Sequence, residues 1–412
     1  MLLPTATYRA AAFVEAARRL GVELTVASER PSTFQEANPA GLLTLDLAGL
    51  EKAAGQARAF AREHPLRGVV GVDDDTAVVA AAIASELGLR GNTVAAAGAA
   101  RDKYEQRTLL AAAGVPVPRF ARHRLDDDPA DLAKRASFPC VLKPLRLAAS
   151  RGVIRADTPE QFVTAFGRVK RILEDAGCEM RDARSMLVED FVPGSEYALE
   201  GLLTGGQLRV LALFDKPDPL DGPYFEETIY VTPSRLSHDA QRAIAACAQG
   251  AVAALGLREG PVHAELRYNE RGPWLIELAA RPIGGRCSGA LRFGTGDPGS
   301  GAGASLEEIV IRHALGMPIA SLERERCASG VMMIPVPRGG GVLKEVRGVA
   351  AAAAVPLVEG VEITAHPGES LAPWPEGSRY PGFIFARGET PAAVEAALRT
   401  AYGQLGFVLG AA

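Results

Sequence analysis

The chain has few cysteines and few aromatic residues. Five cysteines are spread over 412 residues, at positions 140, 178, 247, 287 and 327, and none forms a C-x-x-C pair. This spacing indicates neither a disulfide framework nor a zinc site, and it fits a reducing compartment. Aromatic residues make up 6% of a chain that is 48% hydrophobic, so much of its apolar content is alanine. The composition is that of a globular protein and excludes disorder, collagen and coiled coil.

The chain also lacks an excess of one charge and any long apolar run. Its 45 basic and 49 acidic residues give a formal net charge of -4, so nucleic acid and anionic membranes are not expected partners. No segment approaches 18 consecutive apolar residues, and the first 20 residues do not read as a signal peptide. We therefore expect a soluble, cytoplasmic protein with no membrane partner. The sequence does not decide the oligomeric state, and a homodimer is one candidate.

Several common catalytic motifs are missing from the sequence. It contains no Walker A loop, no G-x-S-x-G elbow and no H-E-x-x-H pair. Gly294, Gly296 and Gly299 match G-x-G-x-x-G, but Pro298 interrupts the segment and no obvious strand precedes it. We interpret this segment as a loop that leads into a helix at 305–315.

The first hundred residues alternate short apolar runs with helical patterns. Strands predicted at 42–46 and 68–72 are each followed by a helix, which indicates a parallel sheet covered by helices. Acidic residues follow both strands, at Asp46 and at 73–75, where ligands of such sheets bind. These aspartates either face a ligand or cap the next helix, and Asp75, directly before an apolar helix, favours capping.

Two alternating segments, PVHAELRYN at 261–269 and PWLIELAAR at 273–281, predict two strands joined by a turn. A hairpin centred on Arg271 pairs His263 with Ala279, Glu265 with Glu277, and Arg267 with Leu275. Opposed carboxylates destabilise a sheet unless something compensates them. Either a divalent cation, Mg²⁺ or Mn²⁺, or nearby guanidinium groups of Arg267 and Arg281 would do so.

Two further segments attract attention because polar residues follow apolar strands. FPCVLKP at 138–144 places Lys143 before the small-residue loop LRLAASRGV at 145–153, so this lysine is either a phosphate contact or a surface charge. MLVEDFVPGSEY at 186–197 ends a strand in acidic residues and a turn, after which Glu196 opens the next strand. Later strand-like segments at 330–336, 361–364 and 382–387, and a helix from 391, predict a smaller α+β unit.

Taken in order, these segments resemble the ATP-grasp superfamily, in particular its ADP-forming carboxylate-amine ligases of the L-amino acid ligase and carnosine synthase-like branch. The resemblance covers nearly the whole chain and implies an α/β and α+β architecture. It implies an N-terminal parallel-sheet domain at 1–98, an ATP-grasp domain at 99–320 with a mobile lid at 137–200, and a C-terminal α+β domain at 321–412.

The resemblance also implies roles for individual residues. Lys103, in RDKYEQRTLLAAAGVPVP, would bind the ATP phosphates, Lys143 would bind phosphate or adenine and assist catalysis, and Arg281 would stabilise the transferred phosphoryl group. Adenine would lie against the backbone of Glu189, Asp190, Phe191 and Val192, and Glu196 would accept the ribose hydroxyls. Glu265 and Glu277 would bind magnesium, or manganese.

Two departures from the family pattern stand out. Many members carry an asparagine as a third metal ligand two residues after the second glutamate, whereas this chain has Ala279. The lid loop is also poor in glycine, with leucine and alanine at 147–149. Ser150, Arg151 and Gly152 are left as the expected phosphate cradle.

The implied reaction joins a small-molecule carboxylate to an amine through an acylphosphate, with release of ADP. Candidate substrate contacts are Phe225, Glu226, Glu227, His263, Arg267, Gly284 and Gly285. The segment 214–228 could equally be a proline-rich surface loop, and His263 could serve a structural hydrogen bond. Two other functions stay open: an ATP-grasp ligase of purine or carboxylation metabolism, and a non-catalytic nucleotide-binding regulatory protein.

Overall fold

The computed structural model describes residues 1–4, 7, 9–177, 184–294 and 303–410. The described helices, α1 to α11, are Ala10–Leu20, Leu50–Ala61, Asp74–Glu86, Val94–Arg101, Lys103–Ala112, Pro129–Ala133, Pro159–Asp175, His238–Ala254, Leu306–Ala314, Val349–Ala353 and Pro391–Tyr402. Within those residues, no helix is long and apolar enough to cross a membrane. Gly296 and Gly299 of the glycine motif lie outside the described residues, and α9 begins close to where the sequence predicts it.

The strands, β1 to β17, are Val26–Ser28, Leu42–Thr44, Phe120–Arg124, Cys140–Pro144, Ile154–Ala156, Ser185–Asp190, Ser195–Thr204, Gln207–Asp215, Ile229–Thr232, Gly260–Asn269, Gly272–Ala279, Ala328–Met333, Gly341–Arg347, Val358–Ile363, Ser370–Leu371, Gly382–Gly388 and Gly406–Gly410. They form sheets of two, four, eight and three strands.

The N-terminal region contains a small parallel sheet packed against alanine-rich helices. β1 and β2 pair in parallel, but the strand predicted at 68–72 contributes only a bridge between Leu2 and Gly71. Ala53 and Ala57 of α2 pack in one core cluster with Val79 and Ile83 of α3. Their small side chains allow the two helices to approach closely. Alanine enrichment therefore builds the helical layer of this region.

The run of aspartates before α3 divides its tasks among its members. Asp73, not Asp75, is the N-cap: its carboxylate accepts from the amide of Thr76 at 2.8 Å within a capping box. Asp75 forms an exposed ion pair with Arg101. Asp74 binds Arg281, 3.0 Å from its Nε. Capping is thus present at Asp73, and the two neighbouring aspartates each bind an arginine; contact with a ligand remains a prediction.

The eight-stranded sheet is the centre of the molecule, with strand order β11-β10-β7-β8-β9-β12-β16-β14. Every pairing in it is antiparallel. α8 packs on one face among the residues of one core cluster, and α1 and α9 lie in a second. The predicted C-terminal strands are present, and β12, β14 and β16 extend this central sheet.

A four-stranded antiparallel sheet, β3-β6-β4-β5, carries α7 on one face and contains Lys143 on β4. The sheet starts at Phe120, before the predicted lid boundary at 137, and the next strand, β7, already lies in the central sheet. A three-stranded sheet, β15-β13-β17, completes the C-terminal region. The domain boundaries themselves remain predictions.

The predicted hairpin forms between β10 and β11. Glu265 lies opposite Glu277 and His263 opposite Ala279, as the sequence predicts. Arg267 lies opposite Trp274 rather than Leu275, because the register shifts by one residue after Glu265. A β-bulge of this kind re-aims the side chains beyond it. The register set at the turn would place Glu265 opposite Ile276, and the bulge skips that residue and brings Glu265 opposite Glu277.

Removing the cap of α3 should destabilise the protein measurably. Asp73→Ala leaves the Thr76 amide without its acceptor, and we expect the free energy of unfolding to fall by about 1 kcal/mol. Asp75→Ala removes only an exposed ion pair and should change it by less than about 0.5 kcal/mol. Urea unfolding compares the two variants. Equal losses would contradict the assignment of Asp73 as the cap.

Candidate active site

The opposed glutamates of the hairpin are compensated by two lysines. Lys216 Nζ lies 3.3 Å from Glu265 Oε1, and Lys103 Nζ lies 3.1 Å from Glu277 Oε1. Neither of the two arginines considered from the sequence forms an ion pair with these glutamates in the described residues; Arg267 binds Glu196 and Arg281 binds Asp74. In this structure two separate ammonium groups therefore balance the charge that the hairpin brings together.

Lys216 is the centre of a buried carboxylate cluster. Its Nζ lies 2.7 Å from Glu196, 2.5 Å from Glu227 and 3.3 Å from Glu265. Tyr230 donates a hydrogen bond to Glu227 at 2.7 Å. Oxygens of the three glutamates lie within 4.8 Å of one another. An all-oxygen set of this kind suits a hard divalent cation, so these residues fit a metal ion as well as the ammonium group.

Burial and charge pull the pKa values of this cluster apart. Burial raises the pKa of Glu227 to about 7, although the ammonium of Lys216 opposes this shift. Burial also disfavours the charged form of Glu265, but Lys216 and His263 outweigh it and hold its pKa well below the usual range. The three carboxylates raise the pKa of Lys216 well above normal against the effect of burial. The cluster thus combines a fixed anion with a carboxyl that titrates near neutrality.

His263 lies between two carboxylates. Its Nδ1 is 3.5 Å from Glu200 and its Nε2 is 3.4 Å from Glu265. Glu200 is fully buried on β7 and accepts a hydrogen bond from the amide of Ile283. Burial lowers the pKa of His263, but the two carboxylates reverse this and raise it. The sequence left open a structural hydrogen bond from His263 to a neighbouring strand; among the described residues Nδ1 makes only the 3.5 Å ion-pair contact with Glu200 of β7.

A second buried cluster joins α5 to the four-stranded sheet. Glu189 lies 2.5 Å from Arg107 Nε and 2.5 Å from Lys143 Nζ. Burial raises the pKa of Glu189, but the two cations outweigh it and lower the pKa below its usual value. Sequence reasoning missed Arg107, although it follows Lys103 by four residues and so lies on the same face of α5. The Glu189 side chain therefore fixes the ammonium group of Lys143.

Residues 189–192, the predicted adenine hinge, form hydrogen bonds with neighbouring segments. The amides of Asp190 and Phe191 donate to the carbonyls of Arg119 and Pro139, at 2.9 and 3.0 Å. The carbonyl of Val192 accepts from Arg267, which also binds Glu196 at 3.1 Å. Arg267 is buried, and it connects the hinge to Glu196, the residue predicted to bind ribose. Contact of this backbone with adenine remains a prediction.

The lid loop makes hydrogen bonds at both ends. Lys103 Nζ donates to the carbonyl of Leu147 at 3.0 Å. The amide of Gly152 donates to the carbonyl of Pro375 at 2.8 Å, and Arg151 Nε donates to that of Glu376 at 3.1 Å. Trp374 Nε1 donates to the carbonyl of Ala149 at 2.8 Å. Sequence reasoning missed these C-terminal partners, since they lie more than 200 residues from the loop.

The remaining residues singled out from the sequence lie around the end of β8 and in the segments before β9 and after β11. Glu226 accepts from the amide of Val336 and is partly buried, as is Phe225. Asp215, next to Lys216 on β8, faces the other way and binds Arg235 at 2.6 Å. The carbonyl of Gly284 accepts from the amide of Cys287.

Gly285 has a left-handed φ of 57°, and a Cβ there would lie 2.2 Å from Met333 Sδ, so glycine is required. Cys287 next to it is buried, and burial raises the pKa of its thiol well above normal. Its environment is that of a small core residue. Arg281 is held by Asp74, whose carboxylate sequence reasoning did not assign to the site.

Three family models match consecutive parts of the chain. Residues 14–91 match an ATP-grasp N-terminal domain, 136–290 an ATP-grasp domain, and 332–410 the L-amino acid ligase C-terminal domain 2. The crystal structure of an L-amino acid ligase from Bacillus licheniformis superposes with a TM-score of 0.78 at 26% identity, covering 99% of this chain and 98% of that one.

Relatives in sequence include a ligase and a synthase. The alanine–anticapsin ligase of Bacillus subtilis (strain 168) is 32% identical over 213 residues, which are 48% of this chain and 44% of that ligase. Carnosine synthase 1 of Homo sapiens is 28% identical over 284 residues, 65% of this chain and 34% of that enzyme. The chain thus spans less than half the length of these relatives.

The chain belongs to the ATP-grasp superfamily, and the fold class expected from its sequence is confirmed. Membership implies the use of ATP and a divalent metal ion. Within the superfamily the chain resembles the L-amino acid ligases along its whole length, including their C-terminal domain.

Lys216 should be essential for the stability of the carboxylate cluster. Lys216→Met leaves three buried glutamates without their shared cation, and we expect a loss of about 3–5 kcal/mol in the free energy of unfolding at pH 7.5. Lys134→Met breaks an exposed ion pair with Asp131 and should cost less than about 1 kcal/mol. Urea unfolding without added metal measures both. A loss in the Lys216 variant no larger than in the control would contradict this account.

Proposed function

We propose that the chain is an ATP-dependent carboxylate-amine ligase that forms an amide or peptide bond between amino-acid-like substrates and releases ADP and phosphate. The observation that carries this proposal is the pair Glu265 and Glu277, opposed on one sheet face and each bound by a buried lysine, within an ATP-grasp fold. The likeness to an L-amino acid ligase over the whole chain supports it. The cysteine pattern fits a cytoplasmic enzyme.

ATP would bind between the four-stranded sheet and the central sheet. Lys103 and Lys143, both buried and both held by glutamates, would neutralise its phosphates. Glu196 at the start of β7, which binds Lys216 and Arg267 in this structure, would accept the ribose hydroxyls, and residues 189–192 would border adenine. The loop residues 150–152 would cover the phosphates. Phosphoryl transfer needs such positioning and charge neutralisation more than covalent help.

Magnesium is the proposed metal, bound by Glu265 and Glu277. The missing asparagine at Ala279 has a substitute nearby, because Glu227 brings an oxygen into the same cluster as Glu265. When bound, the metal ion would neutralise charge on the phosphates of ATP. Lys216 would then share its carboxylates with the metal ion.

In the proposed reaction, a substrate carboxylate attacks the γ-phosphate of ATP and forms an acylphosphate, and an amine then displaces phosphate. Arg281, once released from its ion pair with Asp74, would stabilise the charge on the phosphoryl group during its transfer. Closure of the lid would exclude water from the acylphosphate. Glu227 and His263, which contact the carboxylate cluster, are proposed substrate contacts. Phe225 and Glu226, which adjoin Glu227 in sequence, and Arg267, Gly284 and Gly285 complete the proposed set.

A release assay for ADP over single amino acids and amino-acid pairs tests this function. We expect magnesium-dependent ADP formation that requires both a carboxylate and an amine. ADP formation that requires bicarbonate, or that requires a phosphorylated amine together with a carboxylate, would instead favour a ligase of purine or carboxylation metabolism. Binding of ATP without turnover in any combination would favour a regulatory protein, a reading that Ala279 keeps open.

The metal assignment has its own test in the same assay. Glu277→Ala removes one of the two opposed carboxylates, and we expect at least a 100-fold loss of magnesium-dependent ADP formation with the fold retained. Glu270→Ala changes an exposed glutamate in the turn of the same hairpin and should leave turnover within about twofold. Near-normal turnover of the Glu277 variant would sink the assignment.

A further inference from the structure

The lid loop adopts a backbone that its sequence disfavours. Ala149 and Ser150 have φ values of 56° and 54°, so two successive residues with a Cβ are left-handed. In this region Cβ crowds the backbone, and only glycine enters it freely. Such residues persist where surrounding structure over-determines them. Inside the loop, the amides of Arg151 and Val153 donate to the carbonyls of Ala148 and Ser150, at 3.3 and 3.1 Å, and bonds from outside the loop add to these two.

Residues 374–376 of the C-terminal region supply that support. Three hydrogen bonds join them to the loop. Trp374 Nε1 donates to the carbonyl of Ala149, the amide of Gly152 donates to the carbonyl of Pro375, and Arg151 Nε donates to the carbonyl of Glu376. They are 2.8, 2.8 and 3.1 Å long. They lie on both sides of Ser150, so the two left-handed residues are fixed from each end.

The supporting segment is itself rigid. Trp374 is buried among Val336, Leu343 and Leu371, and its ring lies 4.8 Å from that of Tyr380. Arg168 of α7 grips the Glu376 carboxylate with two bonds of 2.6 and 2.8 Å. The 374–376 segment is thus anchored in the C-terminal core on one side and on the lid helix on the other. It can impose a conformation on the loop rather than follow it.

The one glycine of the loop, Gly152, lies where contacts from outside could not make a larger residue acceptable. Gly152 has a φ of 74°, and a Cβ there would lie 2.8 Å from Pro144 Cγ. Space is the constraint at this position, whereas at Ala149 and Ser150 the constraint is conformation alone. Hydrogen bonds from outside can offset a conformational preference, but they cannot make room for an atom.

We infer that Trp374 is a positioning residue for the nucleotide: with its neighbours at 375 and 376 it holds the glycine-poor lid loop in the shape that receives the ATP phosphates. This inference rests on the proposed function, since it takes the loop at 145–153 as a phosphate contact. It assigns the C-terminal region a part in ATP binding without any contact to ATP.

Calorimetric titration with ATP and magnesium, without amino acids, tests the inference apart from turnover. Trp374→Phe keeps a ring but removes the donor to Ala149, and we expect the Kd for ATP to rise about three- to tenfold, the range of one hydrogen bond. Adding Ala149→Gly should return it to within about twofold of wild type, because glycine needs no help to be left-handed. Competition by adenosine, which lacks phosphates, should be unchanged throughout.

The chain offers a matched control in its other tryptophan. The indole nitrogen of Trp274 is buried and has no hydrogen-bond partner among the described residues, so Trp274→Phe should leave ATP binding unchanged. If Trp374→Phe unfolds, Arg168→Met, which frees Glu376, replaces it and should weaken ATP binding about two- to threefold, again reversed by Ala149→Gly.

Three outcomes would overturn the inference. If Trp374→Phe and Arg168→Met both bind ATP as tightly as the wild type, the contacts of residues 374–376 with the loop do not contribute to ATP binding. A loss that Ala149→Gly does not reverse, and that adenosine shares, would reduce Trp374 to a packing residue of the C-terminal core. Failure of the wild-type protein to bind ATP would instead reject the proposed function, and the inference with it.

Discussion

Compensation of buried charge is the constraint on which the site depends. Lys103, Lys143 and Lys216 are each buried, and each is held by a glutamate on a neighbouring strand. Removing either member of such a pair leaves an uncompensated charge in a poorly solvated environment, so each fixes the position of the other. The ammonium groups that the proposed site would offer a triphosphate are therefore already oriented by protein contacts. Little reorganisation is needed when an anionic ligand arrives.

Local patterns in the sequence predicted the parts of the site that depend on local geometry. Strand alternation predicted that Glu265 and Glu277 lie on neighbouring strands of one hairpin, whereas their direct pairing also depends on a bulge that skips Ile276. The shift that moves Arg267 opposite Trp274 could not be read, since a bulge leaves no reliable mark in the residues around it. The strand predicted at 68–72 has the right composition but only a single bridging contact. The domain boundaries and the site roles remain predictions.

Contacts between distant segments were beyond prediction. The Lys216 cluster joins glutamates from β7, β10 and the segment before β9, and only the completed sheet brings them together. The cluster also changes the meaning of Ala279, since an oxygen absent from one strand is available from another. The shortage of glycine in the lid loop would likewise be compensated from a distant segment, by Trp374, which donates a hydrogen bond to the loop. If the proposals for Glu227 and Trp374 hold, both departures from the family pattern are offset by residues elsewhere in the fold.

The placement of the C-terminal strands bears on how the gene could be cut or recombined. β12 pairs with β9, and β16 and β14 continue the central sheet beyond it. A chain ended near residue 327 would expose the backbone of β9, a strand whose four residues are all buried, as an open sheet edge. Such edges promote aggregation. The C-terminal region is thus not an exchangeable module, and chimaeras among related ligases should keep it with its own central sheet.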